Sequence, residues 1–128
     1  MFELSKQFYF EAAHTLERVI ETESSRRIHG HTYHAEITVR GRPDPKTGMI
    51  LDLGLFTRAL EAVRERLDHH FLDDVPDLGP ATLENLCVYL WRNLAPDLTG
   101  LNRVTVWRQA SGDKCTYFGP DSDSQEAA

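Results

Sequence analysis

Three histidines in two short motifs have the residue type and the spacing to hold a metal ion. His14 ends the segment FEAAH, and His29 and His31 are separated by one glycine in HGH. In an extended strand, residues two positions apart point to the same side, so His29 and His31 face the same way. Three neutral imidazoles leave a fourth position open on zinc, as in catalytic zinc sites. The pattern leaves two interpretations open: the histidines bind zinc, or they cap strands and satisfy hydrogen bonds in the core.

A carboxylate and an imidazole stand side by side in LDHH, where Asp68 precedes His69. An aspartate can orient an imidazole and stabilise its protonated form, which suits acid–base catalysis. Without further context the sequence favours the alternative, the C-terminal end of a helix, whose dipole favours histidines. Glu84 and Asn85 are either active-site groups or first-turn residues of a helix, and the sequence alone favours the second interpretation.

The elements that must position these groups follow from the hydrophobic pattern. Alternation over residues 2–14 and again over residues 29–40 predicts two strands. Asp52 and Thr82 are predicted N-caps of two helices with apolar residues at helical spacing. Two further strands with a hairpin turn are predicted within residues 103–119. This order favours an α+β fold, with a four-stranded antiparallel sheet and two helices on one face.

The length of 128 residues fits one domain, which we place at residues 1–119. Residues 120–128 are too polar to pack, and we expect a disordered tail. Residues 15–28 are polar and charged, and we expect a long connecting loop there with a functional role.

Charge and composition exclude several classes of protein. The formal net charge of −6 argues against nucleic acid as the main partner, since phosphate binding needs clustered Lys and Arg. No run approaches the roughly 20 apolar residues of a membrane span, so no membrane partner is expected. Two cysteines are too few for a disulfide framework and fit a reducing compartment. We expect a soluble cytoplasmic protein.

Five motifs resemble, in order and approximate spacing, those of the 6-pyruvoyl tetrahydropterin synthases and of their bacterial relatives, the 6-carboxytetrahydropterin synthases of queuosine biosynthesis. They are FYFEAAH, HGHTYHAEITVRG, TGMILDLGLF, LDHHFLDD and PATLEN. The resemblance covers about residues 8–119. It implies the tunnelling fold, a ββααββ subunit that assembles into rings, commonly a homohexamer built as a dimer of trimers with sites between subunits. It also implies one zinc ion per subunit, bound by His14, His29 and His31.

The resemblance further implies a reaction. The substrate of the family is 7,8-dihydroneopterin triphosphate, and zinc acts as a Lewis acid while protons move and triphosphate is eliminated. A cysteine is the general base, and Asp68 and His69 match the other members of the catalytic set. In the bacterial relatives that cysteine stands four residues before HGH, where this sequence has Ser25. Since a serine hydroxyl is far less acidic than a thiol, the usual base is absent.

The residue that anchors the pterin also differs. A glutamate in the third strand has this role in the family, and this sequence has Arg108 there, or Gln109 if the register shifts by one. A carboxylate accepts hydrogen bonds from the amino group and ring N–H of a pterin, whereas an arginine only donates. Glu84 and the side-chain carbonyl of Gln109 could still accept them, and Thr82 belongs to the same candidate ligand-binding group.

We therefore expect a divergent member of this family, which binds a pterin-like ligand near a three-histidine zinc site and has little or none of the standard synthase activity. The first alternative is an active 6-carboxytetrahydropterin synthase-like lyase whose base comes from elsewhere. The second is a catalytically silent protein that binds a pterin-like ligand. The missing cysteine counts against the first, and the retained Asp68, His69 and histidine triad count against a purely structural role.

Overall fold

The fold begins with a pair of long antiparallel strands, seen in a computed structural model that describes residues 1–121. Strand β1 spans Phe2–His14 and strand β2 spans His29–Gly41. Every residue of β1 lies opposite a residue of β2, and the pairing ends with His14 opposite His29. The two strands predicted from alternation are confirmed.

A short helix that the sequence did not predict interrupts the connection between these strands. Helix α1 spans Thr22–Arg26, within the stretch of residues 15–28 that was expected to be a loop. Five residues are too few to show a helical period in the sequence, so the pattern could not reveal it. The helix buries Ser25, which is 4% exposed, against the end of the sheet.

Two longer helices follow, each with the predicted N-cap. Helix α2 spans Leu53–Glu65, and the Asp52 carboxylate accepts hydrogen bonds from the amides of its second and third residues at 2.7 and 3.3 Å. Helix α3 spans Leu83–Leu94, and the Thr82 hydroxyl accepts one from the amide of its third residue at 3.1 Å. Each cap satisfies backbone donors that have no partner inside the helix. A 3₁₀ turn at Leu72–Asp74 lies in the connection between them.

The chain ends in the predicted hairpin. Strand β3 spans Leu101–Arg108 and strand β4 spans Asp113–Tyr117. All neighbouring strands are antiparallel, in the order β1-β2-β3-β4, which confirms the predicted four-stranded sheet. From residue 122 on, the tail predicted over residues 120–128 lies outside the described part of the chain.

The core lies between one face of the sheet and helices α2 and α3. The largest side chains that are fully shielded from solvent are Tyr33, Phe10, Phe56, Ile37, Leu67, Leu72, Leu86, Leu90, Leu94, Leu98, His14 and Val39. His14 is the one histidine in this group, and it ends the inward-facing row of β1. Within residues 1–121, none of the helices has the length and hydrophobicity that a membrane-spanning segment needs.

The segment after α2 runs along the outer edge of β1 and fixes the position of LDHH. The His69 amide donates to the Glu11 carbonyl at 2.6 Å, and the Ala13 amide donates to the His70 carbonyl at 3.2 Å. One oxygen of Asp68 accepts from the Glu11 amide at 2.9 Å. His69 has a left-handed backbone with φ of 59°, which allows the chain to turn from the helix onto the strand edge.

Replacing the N-cap of α2 should destabilise the fold without touching the histidines. We expect Asp52→Ala to lower the free energy of unfolding by about 1 kcal/mol, because two backbone amides lose their acceptor. Urea denaturation followed by circular dichroism measures the change. Glu61→Ala, at an exposed position of the same helix, is the matched control and should change it by less than about 0.5 kcal/mol. Equal losses in both variants would contradict the capping role.

Candidate metal centre and ligand cavity

The sheet register brings the three predicted metal ligands together at one end of the β1–β2 pair. His14 lies opposite His29, and His31 lies opposite Ala12, the inward-facing neighbour of His14 along β1. One ring nitrogen of each histidine lies within 4.8 Å of those of the other two. His14 is 1% exposed, and His29 and His31 are partly exposed. The side chains that the sequence predicted to converge do converge, in a group that could hold a metal ion.

Backbone carbonyls fix which nitrogen of two rings carries the proton. His14 Nδ1 lies 3.0 Å from the Ala81 carbonyl oxygen, and His29 Nδ1 lies 2.7 Å from the Arg27 carbonyl oxygen. A carbonyl only accepts, so both Nδ1 atoms carry the hydrogen and both Nε2 atoms present lone pairs in the neutral rings. These two Nε2 atoms face each other at 3.0 Å. Two facing lone pairs repel, unless a cation lies between them.

The ring of His31 also has an unprotonated Nε2 atom. Arg108 Nη1 lies 3.1 Å from His31 Nε2, and since a guanidinium only donates, this Nε2 also presents a lone pair. With Zn–N bonds of about 2.0–2.1 Å, a tetrahedral zinc ion spaces its ligand nitrogens roughly 3.3 Å apart. The donor set and its Nδ1–H···O=C contacts therefore fit a divalent cation such as zinc.

Burial favours the neutral, metal-ligating form of two of the three rings, those of His14 and His31. The pKa of His31 is lowered to about 4, mainly by loss of hydration and then by the neighbouring charge of Arg108. The pKa of His14 is lowered chiefly by burial, against the opposing effect of its hydrogen bond to Ala81. At neutral pH both rings therefore keep an unprotonated nitrogen.

A cavity of about 580 Å³ opens beside the triad. It brings four other predicted site residues next to the histidines: Ser25, Thr82, Glu84 and Arg108. Its remaining lining residues are Leu16, Arg18, Ser24, Tyr33, Ala81, Leu83 and Asp113. The volume lies within the range of small-molecule sites, which also combine an apolar wall with a few convergent polar groups.

Ser25, which the resemblance aligns with the family's cysteine, is held by the backbone of its own segment. Its hydroxyl donates to the Thr22 carbonyl at 2.8 Å and accepts from the Arg18 amide at 3.1 Å. These two bonds fasten α1 to the preceding turn. Neither partner is a base that could remove the hydroxyl proton, so the contacts of Ser25 favour a structural role.

Arg108 lies at the end of β3 with its guanidinium against the triad. Nη1 donates to His31, and Nη2 donates to Asp113 Oδ2 at 2.7 Å. Nε is shielded from solvent and has no hydrogen-bond partner among the described residues. The Asp113 carboxylate is about half exposed, and its pKa is lowered by hydrogen bonds from Ser111 and Arg108.

The other predicted site residues lie outside this cavity in the single chain. An oxygen of Asp68 lies 3.2 Å from Arg64 and 3.6 Å from His69 Nε2. His69 lines a separate, open depression of about 490 Å³ on the β1 edge, which borders the cavity only through His31. Gln109 lines a third depression, and its side-chain oxygen accepts from Trp107. Their assignment to a common site stays a prediction.

Several residues of the site were missed from sequence. Tyr33 lies on the triad's side of β2, with its hydroxyl 3.4 Å from His14 Nδ1, and its parity with His31 was an available signal. Asp113 lies directly opposite Arg108 in the hairpin, a pairing that the turn position could have suggested. The carbonyl of Ala81 had no sequence signal, because every residue carries one.

Comparison with known proteins places this geometry in a family. The sequence model described as 6-pyruvoyl tetrahydropterin synthase matches residues 3–120. The 6-pyruvoyl tetrahydrobiopterin synthase of Drosophila melanogaster is 50% identical over 70 residues, which are 52% of this chain and 42% of that protein. The human protein of the same name is 35% identical over 106 residues, covering 72% of this chain and 73% of the human one. The match to the first of these relatives thus spans less than half of its length.

One further relative is named for a different reaction, and one solved structure allows the folds to be compared. A protein of Pyrococcus furiosus named dihydroneopterin monophosphate aldolase is 30% identical over 101 residues, covering 77% of this chain and 82% of that one. The structure of Caenorhabditis elegans 6-pyruvoyl tetrahydropterin synthase superposes with a TM-score of 0.78 at 25% identity, covering 92% of this chain and 95% of that one. The tunnelling fold expected from the sequence is therefore confirmed.

Proposed function

Because the chain belongs to the 6-pyruvoyl tetrahydropterin synthase family, we propose that it binds a pterin-like ligand beside a zinc ion held by His14, His29 and His31. The standard triphosphate-eliminating reaction is absent or very weak in this proposal. The single observation that carries this proposal is that the three converged histidines line the same cavity as Ser25 and Arg108.

The donor set supports zinc. Each of the three rings has an Nε2 lone pair, and one nitrogen of each ring lies within 4.8 Å of those of the other two. Backbone carbonyls orient the rings of His14 and His29, whose Nε2 atoms lie 3.0 Å apart. Zinc in such a site supplies Lewis acidity to a ligand oxygen at its open position. The chain supplies the remaining functions. His14 stays neutral through burial, and Glu84 offers a carboxylate to ligand N–H groups from the first turn of α3.

Two replacements support a reaction other than the standard one. Ser25 has no base beside it, since both of its hydrogen bonds go to backbone groups. Arg108 donates where the family resemblance implies a residue that accepts. The Pyrococcus relative is named for an aldolase reaction on a dihydroneopterin monophosphate, so relatives of this chain differ in the reaction that they are named for. A divergent enzyme on an altered pterin-like substrate is therefore our first candidate.

 Asp68 and His69 keep the acid–base pair that a lyase would need, which supports an enzyme over a silent binding protein. An active 6-carboxytetrahydropterin synthase-like lyase would need a base from elsewhere, and Glu84 is the carboxylate of the cavity that is not paired with Arg108. A silent pterin-binding protein would need only the cavity. Assays of activity and of ligand binding separate the three.

The sheet edges support assembly into a ring. In the described chain, β4 and the N-terminal half of β1 form the two edges of the sheet, and strand edges in small subunits are commonly paired with neighbours. We propose a homohexamer, a dimer of trimers, located in the cytoplasm. Since Asp68 and His69 lie at the β1 edge and outside the cavity, a neighbouring subunit offers a way to complete the catalytic group.

Zinc content is the first test. We expect about one equivalent of zinc per chain after purification without chelator, because three unprotonated imidazole nitrogens converge. His29→Ala should reduce the zinc content at least tenfold in elemental analysis. His34→Ala is the matched control, since His34 lies on β2 with the opposite parity and stacks on Trp107. Less than a tenth of an equivalent of any transition metal, even after zinc is added, would refute the site.

The assembly is tested by mass in solution. We expect light scattering at micromolar concentration to give about six times the mass of the chain, because the open sheet edges pair between subunits. A proline in the open edge, Gln7→Pro, should lower the mass by removing a backbone donor. Tyr9→Phe, in the same strand, is the control and should leave it unchanged. A monomeric mass of about 15 kDa for the unmodified protein would contradict the ring.

The synthase reaction tests the divergence. We expect the unmodified protein to convert 7,8-dihydroneopterin triphosphate at least about 10²-fold more slowly than an active synthase, because a missing general base alone costs 10²–10⁴ in rate. Ser25→Cys combined with Arg108→Glu should recover part of the elimination, measured as released triphosphate.

The two single variants are the controls for this assay. Each restores one of the two missing groups, so neither should recover as much activity as the double variant. Rapid turnover by the unmodified protein would show that the base lies elsewhere in the cavity and would favour the lyase alternative.

A further inference from the structure

We propose that Arg108 makes this site selective for ligands with a phosphoryl or carboxylate group, which lies between the metal and the guanidinium. The inference rests on the proposed function, because it takes the histidine triad as a metal site. It adds a substrate class: a small molecule whose anionic oxygens reach the metal and Arg108 together. In the same step, Arg108 weakens binding of the metal alone.

The position of the guanidinium is the reason why Arg108 weakens binding of the metal alone. Arg108 Nη1 donates to His31 Nε2 at 3.1 Å, and this is the lone pair that a metal ion would use. A metal ion must therefore displace this hydrogen bond and then lie close to a fixed positive charge. Both effects oppose the metal when no anion is present.

The unused hydrogen-bond donors of Arg108 are the reason to expect selectivity for an anionic ligand. A guanidinium has five N–H groups, and the structure pairs one with His31 and one with Asp113. Nε is shielded from water and has no partner among the described residues, which is costly for a charged group. Release from His31 frees a further donor. Anionic oxygens are the acceptors that a guanidinium binds most strongly, often through two parallel bonds.

The charge of the cavity points to the same ligand class. Two arginines, Arg18 and Arg108, and two carboxylates, Glu84 and Asp113, line it, so their formal charges cancel. A divalent metal then leaves an excess of two positive charges. The half-exposed Asp113 carboxylate accepts from one N–H group of Arg108, so it leaves the other donors of the guanidinium available. An anionic group between the metal and Arg108 neutralises this excess.

The test measures how metal and anion binding are coupled in the full-length protein. Co²⁺ is titrated by its visible absorbance, alone and with saturating methylphosphonate or acetate, which stand for the two kinds of anion. Because coupling is reciprocal, the ratio of the two Co²⁺ dissociation constants equals the effect of the metal on the anion. We expect at least one anion to tighten Co²⁺ binding tenfold or more in the unmodified protein, and the stronger of the two identifies the chemistry of the ligand.

Variants assign the coupling to Arg108. Arg108→Gln should bind Co²⁺ alone about tenfold more tightly than the unmodified protein and should lose at least four-fifths of the anion effect. Arg108→Lys keeps the charge and should retain more of the effect than Arg108→Gln. The matched control is Arg26→Gln, which removes a charge outside the cavity at a residue that pairs with Glu17, and it should change the ratio less than twofold.

The outcomes separate this proposal from the proposed function. If the unmodified protein binds Co²⁺ but neither anion changes its affinity, the role of Arg108 is refuted and the metal site stands; this outcome needs no variant to fold. Equal coupling in Arg108→Gln and the unmodified protein refutes it in the same way. If the unmodified protein binds no Co²⁺, the metal site of the proposed function is refuted, and the selectivity with it.

Discussion

The register between β1 and β2 is the constraint on which the site depends. It sets His14 opposite His29, at the end of a pairing that includes every residue of β1. A slip by one residue would turn every side chain of one strand to the other face, and His14 would leave the triad. Both faces oppose such a slip. Phe10 is fully buried on the inner face, and the hydroxyls of Ser5 and Thr38 bond at 2.8 Å on the outer face.

Burial then gives the histidines their chemical state. His14 continues the apolar row of β1 into the core, where hydration is lost and the charged form is disfavoured. The carbonyls of Ala81 and Arg27 accept the Nδ1 hydrogens of His14 and His29, so the Nε2 lone pairs of these two rings face each other at 3.0 Å. The packing that stabilises the sheet thus also orients a group of side chains that could hold a metal ion.

Much of this could be predicted from the sequence, since it depends on local periodicity. The alternation of apolar and polar residues predicted β1 and β2, and the N-caps Asp52 and Thr82 predicted the starts of two helices. The two-residue spacing of His29 and His31 predicted that they share one face of a strand. The rest depends on contacts that no local pattern records. Helix α1 is shorter than two helical turns, and the contact of Arg108 with His31 joins residues 77 positions apart. Asp68 and His69 leave the cavity because their segment pairs with the β1 edge, which requires a left-handed residue that the sequence does not mark.

The change at the end of β3 differs in kind from the one in α1. In the proposed function, Ser25 takes the place of a thiol, which removes a reactive group but leaves the polarity of the site unchanged. In the same proposal Arg108 takes the place of an acceptor, which reverses both the charge and the direction of every hydrogen bond from that position. A ligand that presents N–H groups at this position would meet donors instead of acceptors. A site with such mismatched polar groups can reject its ligand by a factor of about 10⁴. Small movements of the arginine cannot correct this, because it has no acceptor to offer. The proposed ligand must instead present acceptors, so in this proposal Arg108 changes which ligands the family's framework binds.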